Sequence, residues 1–292
     1  MREGSHRSGF KSAGFTIVET MIVLAVTGVL FVVIAASLGG SENKAEFVHA
    51  IQDVQAQIQQ VINQESDGYY PNLGNFSCTG NGSSITITPE LPGNANPQGD
   101  NQGCVFLGKV IQFAPSDGAA MGGYMTYTVA GCYTTPVTPA PPASCQAPSS
   151  PHDFGATDPQ IGDFSLSPQI LEYGLTIYRL NTPNSIGGSL GAIGLLMEVG
   201  SPNSLASGEF NSGAQQIDLL LFPDTNTDQG STAAKTAINT SLQKNTYTLN
   251  PSSGVQVCFA SGGTNQSGLI TIGGSGRQLL VQLKIYNDNT CT

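Results

Sequence analysis

The chain has 292 residues, with 36 Gly, 17 Pro, no Trp and only 10% charged side chains, a composition that argues against a cytosolic enzyme and for a β-rich, loop-rich extracellular module of one or two domains. Its 39% hydrophobic share can supply a core, which argues against disorder. A formal net charge of −10 repels nucleic-acid phosphates and anionic lipid surfaces, so general nucleic-acid binding is disfavoured.

The first 14 residues carry Arg2, Arg7 and Lys11 against Glu3. Residues 15–38 then form an apolar run of Val, Ile, Leu, Ala, Phe and Met. As a helix, 24 residues reach about 36 Å, enough to cross a hydrocarbon core of about 30 Å. Basic residues before the run and acidic ones beyond it place the N-terminus in the cytoplasm and the remainder outside. A cleaved secretory signal has an apolar core of only about 7 to 15 residues. An ordinary anchor accounts for length and charge bias but not for Glu19. A carboxylate deep in a membrane helix costs roughly 2.5 to 3.5 kcal/mol and needs a cationic partner. No Lys or Arg stands at a neighbouring turn of this helix.

The stretch "SENKAEFVHAIQDVQAQIQQVINQES" continues the helical pattern. Phe47, Val48, Ile51, Val54, Ile58, Val61 and Ile62 recur at spacings of three and four, which predicts an amphipathic helix with one face for a core. A separate coiled-coil stalk is the competing reading. Gly39 and Gly40 join the two halves and cost roughly 2 kcal/mol in a helix interior, so a kink or an easily melted turn is expected there.

From residue 66 the chain reads as strands bounded by Gly, Pro, Asn and Asp: "SSITITP", "CVFLGKVIQFA", "GYMTYTVAGCY", "EYGLTIYRL", "QIDLLLFP", "GVQVCFAS", "SGLITIGG" and "RQLLVQLKIY". The Pro-rich stretch 134–151 reads as a semi-rigid loop that can divide the head into two lobes. The six cysteines, Cys78, Cys104, Cys132, Cys145, Cys258 and Cys291, include no CxxC, which argues against zinc knuckles and redox motifs. An even number behind an export signal suggests disulfides, and closure of local loops favours Cys78–Cys104, Cys132–Cys145 and Cys258–Cys291; buried free thiols are the alternative.

Two stretches of the head raise chemistry. "GGSLG" at 187–191 fits the nucleophile elbow formally, but that hydrolase order needs a His after the Ser, and His6, His49 and His152 all precede Ser189. A Gly- and Ser-rich loop explains it better, and no catalytic constellation replaces it. In "PDTNTDQGSTAAK", Asp224, Asn226 and Asp228 alternate like the first ligands of an oxygen-rich Ca²⁺ loop. Gln229 stands where such a loop has Gly, and Lys235 where it has Glu. An Asp/Asn turn is the preferred reading, with a shorter Ca²⁺ loop as the alternative. No other cofactor is called for.

"KSAGFTIVE" resembles the N-terminal signal of type IV pilins and pseudopilins: a short basic leader, Gly, an aromatic residue, three apolar or small residues, Glu, then about twenty apolar residues. Gly14, Phe15, Thr16, Ile17, Val18 and Glu19 match it position by position. The resemblance implies cleavage after Gly14 by a prepilin peptidase and N-methylation of Phe15, whose amine, on a neighbouring subunit, would be the missing cation for Glu19. In low dielectric such a pair favours one axial register, because mispairing leaves two charges uncompensated. The C-terminal segment, with Gly276 and Arg277 before its last strand, resembles the final strands of minor pseudopilins.

The resemblance also implies an α+β fold: leader 1–14, one long helix 15–65 with residues 15–38 in the membrane, and a β-rich extracellular head 66–292 packed on the second half of that helix. The implied protein is not an enzyme but a subunit of a type IV pilus-like filament. It would start as a single-pass precursor in the cytoplasmic membrane and end in an extracellular or periplasmic filament. Its partners would be further copies of itself, the peptidase, a platform protein and an assembly ATPase. Some members of this family order a loop with calcium, which keeps the Ca²⁺ alternative open. A type II secretion pseudopilin, a minor tip pilin or adhesin, and a membrane-anchored extracellular enzyme are the other readings.

Overall fold

The computed structural model describes residues 16–66, 76–80, 85–89, 104–113, 122–132, 149–150, 152–161, 167–182, 190–199, 217–223, 229–249, 254–262, 265–273, 279–288 and 291. The chain is α+β, with helices and antiparallel sheets. It divides into two compact units, Met1–Ala45 and Glu46–Thr292.

The first unit is built on the N-terminal part of helix α1 (Ile17–Ser66). From Ile17 to Ile34 every side chain is exposed, and this stretch is long and apolar enough to cross a membrane. Its hydroxyls are satisfied within the helix: Thr20 donates to Ile17 O at 2.8 Å and Thr27 to Val23 O at 2.8 Å. Residues 39 and 40 are helical, and α1 continues through the two glycines, the place where a kink or an easily melted turn is expected. Helix propagation adds one hydrogen bond per residue fixed, and good helix formers on both sides carry the two glycines.

In the second unit the strands are β1 (Phe76–Gly80), β2 (Ile85–Pro89), β3 (Cys104–Gln112), β4 (Gly123–Cys132), β5 (Gln160–Ile161), β6 (Ser167–Ile170), β7 (Leu175–Asn181), β8 (Leu190–Met197), β9 (Ile217–Pro223), β10 (Thr248–Leu249), β11 (Val255–Ser261), β12 (Ser267–Gly273) and β13 (Leu280–Tyr286). A 3-10 turn spans Phe154–Thr157, and a second helix, α2, spans Thr232–Gln243. β1 and β2 pair with each other; a seven-stranded sheet runs β10-β9-β8-β3-β4-β5 with β6 also on β4; a four-stranded sheet runs β13-β12-β11-β7.

The second half of α1 packs as its spacing predicts. Phe47, Ile51, Val54, Ile58 and Ile62 are buried in one cluster with Ile111, Ile193, Leu195, Leu219 and Leu221 of the seven-stranded sheet and Val257, Phe259, Ile270 and Ile272 of the four-stranded sheet. The opposite face of the seven-stranded sheet is covered as well: Val110, Val129, Leu196, Leu220 and Phe222 pack with Phe154 and with Ile238 and Leu242 of α2. Two buried faces explain why β9 reads as a continuous apolar run rather than an alternating one.

α2 corrects the expectation of a single helix. Ser231 caps it by accepting from Ala234 N at 3.1 Å, and Ala234, Ile238 and Leu242 face inward at helical spacing. The surrounding Thr, Asn and Gln weaken the pattern enough to read as a turn. Gln229, just before it, donates through Nε2 to Phe113 O and, at 2.8 Å, to Gly123 O, so this residue ties the β9–α2 connection to β3 and β4.

Two glycines sit where an added Cβ would be crowded. Gly108, at φ +143°, sits at the β3 bulge, where a Cβ would lie 2.1 Å from Leu195 O. Gly268 on β12 lies directly under α1, and a Cβ there would lie 1.8 Å from Ile51 Cδ1. Gly268→Val should therefore wedge α1 off the sheet and lower stability by about 1 to 3 kcal/mol, read as a lower denaturant midpoint.

Three polar links fix the register of α1. Gln55 Nε2 donates to Val281 O at 3.1 Å and the Tyr124 hydroxyl to Gln57 Oε1 at 2.6 Å. Lys109 Nζ donates to Gln64 Oε1 at 2.7 Å and lies 3.8 Å from Glu65 Oε1. Glu65 is fully buried, and neither of its carboxylate oxygens has a hydrogen-bond donor among the described residues.

Candidate functional site

Gly14 and Phe15 lie outside the described residues, as do Ser189, Asp224, Asn226, Asp228, Gly276, Arg277 and the Pro-rich loop from 134 to 148. Glu19 is described. It stands in the first turn of α1, exposed like its neighbours. Thr16 precedes the helix, and its Oγ1 accepts from Glu19 N at 3.3 Å. Thr16 thus caps the helix through the backbone N–H of residue 19, a bond that does not involve the Glu19 side chain. The Glu19 carboxylate, in the first turn, meets the positive end of the helix dipole.

Cys132 is disulfide-bonded. Its backbone is in register with Cys104, while Cys145 and the side chains of Cys78 and Cys104 lie outside the described part, as do the pairings expected for them. The expected Cys258–Cys291 bond is not formed, and both residues are free thiols. Cys291 Sγ lies 3.3 Å from Gly268 O. Hydrogen bonding to Cys258, then to the Tyr178 hydroxyl and Phe259 N–H, favours the Cys291 thiolate against its burial and brings Cys291 down to about 6. Cys258 is pushed up by the same bond and by burial. At neutral pH iodoacetamide should label Cys291 at least tenfold faster than Cys258, read by peptide mass mapping.

A second cluster has no local signature in the sequence. Asp218 on β9 is fully buried and shares the sheet face of Leu220 and Phe222. β8 runs antiparallel to β9 with Leu196 opposite Asp218, so Glu198, just past the end of β8, falls beside it. His152 Nδ1 lies 2.6 Å from Asp218 Oδ2. One ligand atom each from His152, Glu198 and Asp218 lie within 4.8 Å of one another. Burial and the neighbouring Asp218 charge raise Glu198, against a smaller opposing pull from His152.

The segment bearing His152 is held from both sides. Asp153 accepts from Ser149 N at 3.0 Å, Ser149 Oγ at 2.8 Å and Asn245 Nδ2 at 3.0 Å, and these bonds, that from Ser149 N first, keep its carboxyl below the usual range. Gly155 N donates to Asn245 Oδ1 at 3.0 Å, and the Tyr247 hydroxyl lies 2.7 Å from His152 O. A His oriented by a buried carboxylate is also the base of a hydrolytic triad, but no serine or cysteine among the described residues hydrogen-bonds the His152 ring.

Sequence reasoning used His152 only to argue against a hydrolase. The three residues come from distant segments, and a single His in "PHDF" carries no ligand spacing. The chain matches no protein-family model, no curated protein and no solved structure.

Proposed function

We propose that this protein is a structural subunit of a type IV pilus-like filament, processed after Gly14, methylated on Phe15 and polymerised through the first half of α1. The observation that carries the reading is the stretch Ile17–Ile34, fully exposed, apolar throughout except for Glu19 and two internally bonded threonines, and opening on that one carboxylate. Exposed apolar surface of this extent needs lipid or like helices to cover it. In a membrane it faces acyl chains, and in a filament it faces the same helix of other copies. In this reading Glu19 pairs with the Phe15 amine of the next subunit, and the head presents its surface outside the cell. The peptidase, platform protein and ATPase act on the helix and its leader.

Intact mass and N-terminal peptide sequencing of the chain from its native host test the reading. The expected terminus is N-methyl-Phe15. A terminus at Met1 in the mature protein overturns it.

A further inference from the structure

We propose that His152, Glu198 and Asp218 form a binding site for a divalent transition-metal cation of the zinc class. One imidazole and two carboxylates converge from the turn at 152, the end of β8 and the start of β9, with their ligand atoms within 4.8 Å of one another. A cation bound at roughly 2.0 to 2.2 Å keeps tetrahedral ligand atoms about 3.3 to 3.6 Å apart, so around an ion the 2.6 Å His152–Asp218 pair opens while the wider contacts of the cluster close. Nδ1 of His152 and Oδ2 of Asp218, at 2.6 Å, are close enough to share a proton. A cation on Nδ1 needs the ring without a proton at that nitrogen, so in a neutral imidazole the proton sits on Nε2, and binding weakens as pH falls and protons compete for the ligands.

The surroundings suit this use. Two carboxylates against one imidazole leave negative charge even when the ring is protonated, and Asp218 is fully buried. The imidazole favours zinc, copper, nickel or iron over calcium and magnesium, which take oxygen ligands. The His152 side chain is 37% exposed, so an ion can enter from solvent and the ring can turn, while the bonds from Tyr247 and around Asp153 hold the backbone beneath it. Three protein ligands leave a fourth position for water or for a group from another chain.

The site stands whether or not the chain forms filaments. Its test uses the metal-stripped full-length chain in detergent micelles, titrated with Zn²⁺ by calorimetry, with melting curves alongside. The expected result is one Zn²⁺ per chain, a raised melting temperature, and no response to Ca²⁺ or Mg²⁺ at the same concentration. His152→Ala and Glu198→Gln alter partly buried groups and should keep the circular-dichroism spectrum while weakening Zn²⁺ at least tenfold. Cys258 and Cys291 also attract zinc, so Co²⁺ is the second probe. A spectrum without thiolate charge-transfer bands, lost in His152→Ala, supports the site. Unchanged Zn²⁺ affinity in His152→Ala, strong thiolate bands, or no binding at submillimolar Zn²⁺ overturns it.

Discussion

Glu19→Gln should leave membrane insertion and leader removal intact and cut the yield of sheared filament at least tenfold. The substitution removes the charge and keeps the shape of the side chain. The Thr16 cap bonds the backbone N–H of residue 19, which Gln keeps, so the helix still starts. An amide cannot neutralise an ammonium group. In the proposed filament the Phe15 amine of each subunit would then sit in low dielectric without its counter-charge, and an uncompensated buried charge costs several kcal/mol. Every 1.4 kcal/mol is a factor of ten in an association equilibrium, so at least one order of magnitude is the expected loss. Filament from Glu19→Gln at wild-type yield would sink the pairing account.

The second large effect is a pH dependence set by Glu65. Burial raises its carboxyl to about 8, against the opposing pull of Lys109. The unfolded carboxyl titrates at 4.5. Between these values the native chain keeps a proton that the unfolded chain has released, so the stability contributed by Glu65 falls as pH rises from about 4.5 to about 8. The loss amounts to a few kcal/mol at most. Lys109, held below its usual value by the same burial, acts in the opposite sense, its penalty being relieved as it loses its proton. Cys291 also opposes Glu65: a thiol lowered to about 6 contributes stability above its unfolded value of 9 and loses it as pH falls through 6.

The quantity to read is therefore the difference between wild type and Glu65→Gln. The variant cannot ionise at this position, and its stability relative to wild type should rise steadily from pH 5 to pH 8 in urea titrations of the detergent-solubilised chain. A constant difference across that range would show that Glu65 keeps an ordinary carboxylate value in the fold.

The limits of the sequence are visible at particular residues. The run Ile17–Ile34 and the stripe Phe47–Ile62 were legible because helical spacing and unbroken apolarity are properties of near neighbours. β2, β3, β4, β7, β9, β11, β12 and β13 were legible because runs of β-branched and apolar residues bounded by turn residues are also local. β8 was not, because its glycine-rich "LGAIGLLM" lacks alternation once both faces are covered. The short β5, β6 and β10 hold too few residues for a period to show.

Glu65 and Lys109 lie far apart in the chain, and nothing near either one announces a buried pair. His152, Glu198 and Asp218 meet only because β8 and β9 pair in one register and Tyr247 and Asn245 hold the 152 turn against them. Local order along this chain thus follows from residues three or four apart. The placement of its charges follows from strand register and helix docking, which join residues far apart in the chain and leave no trace in any short window.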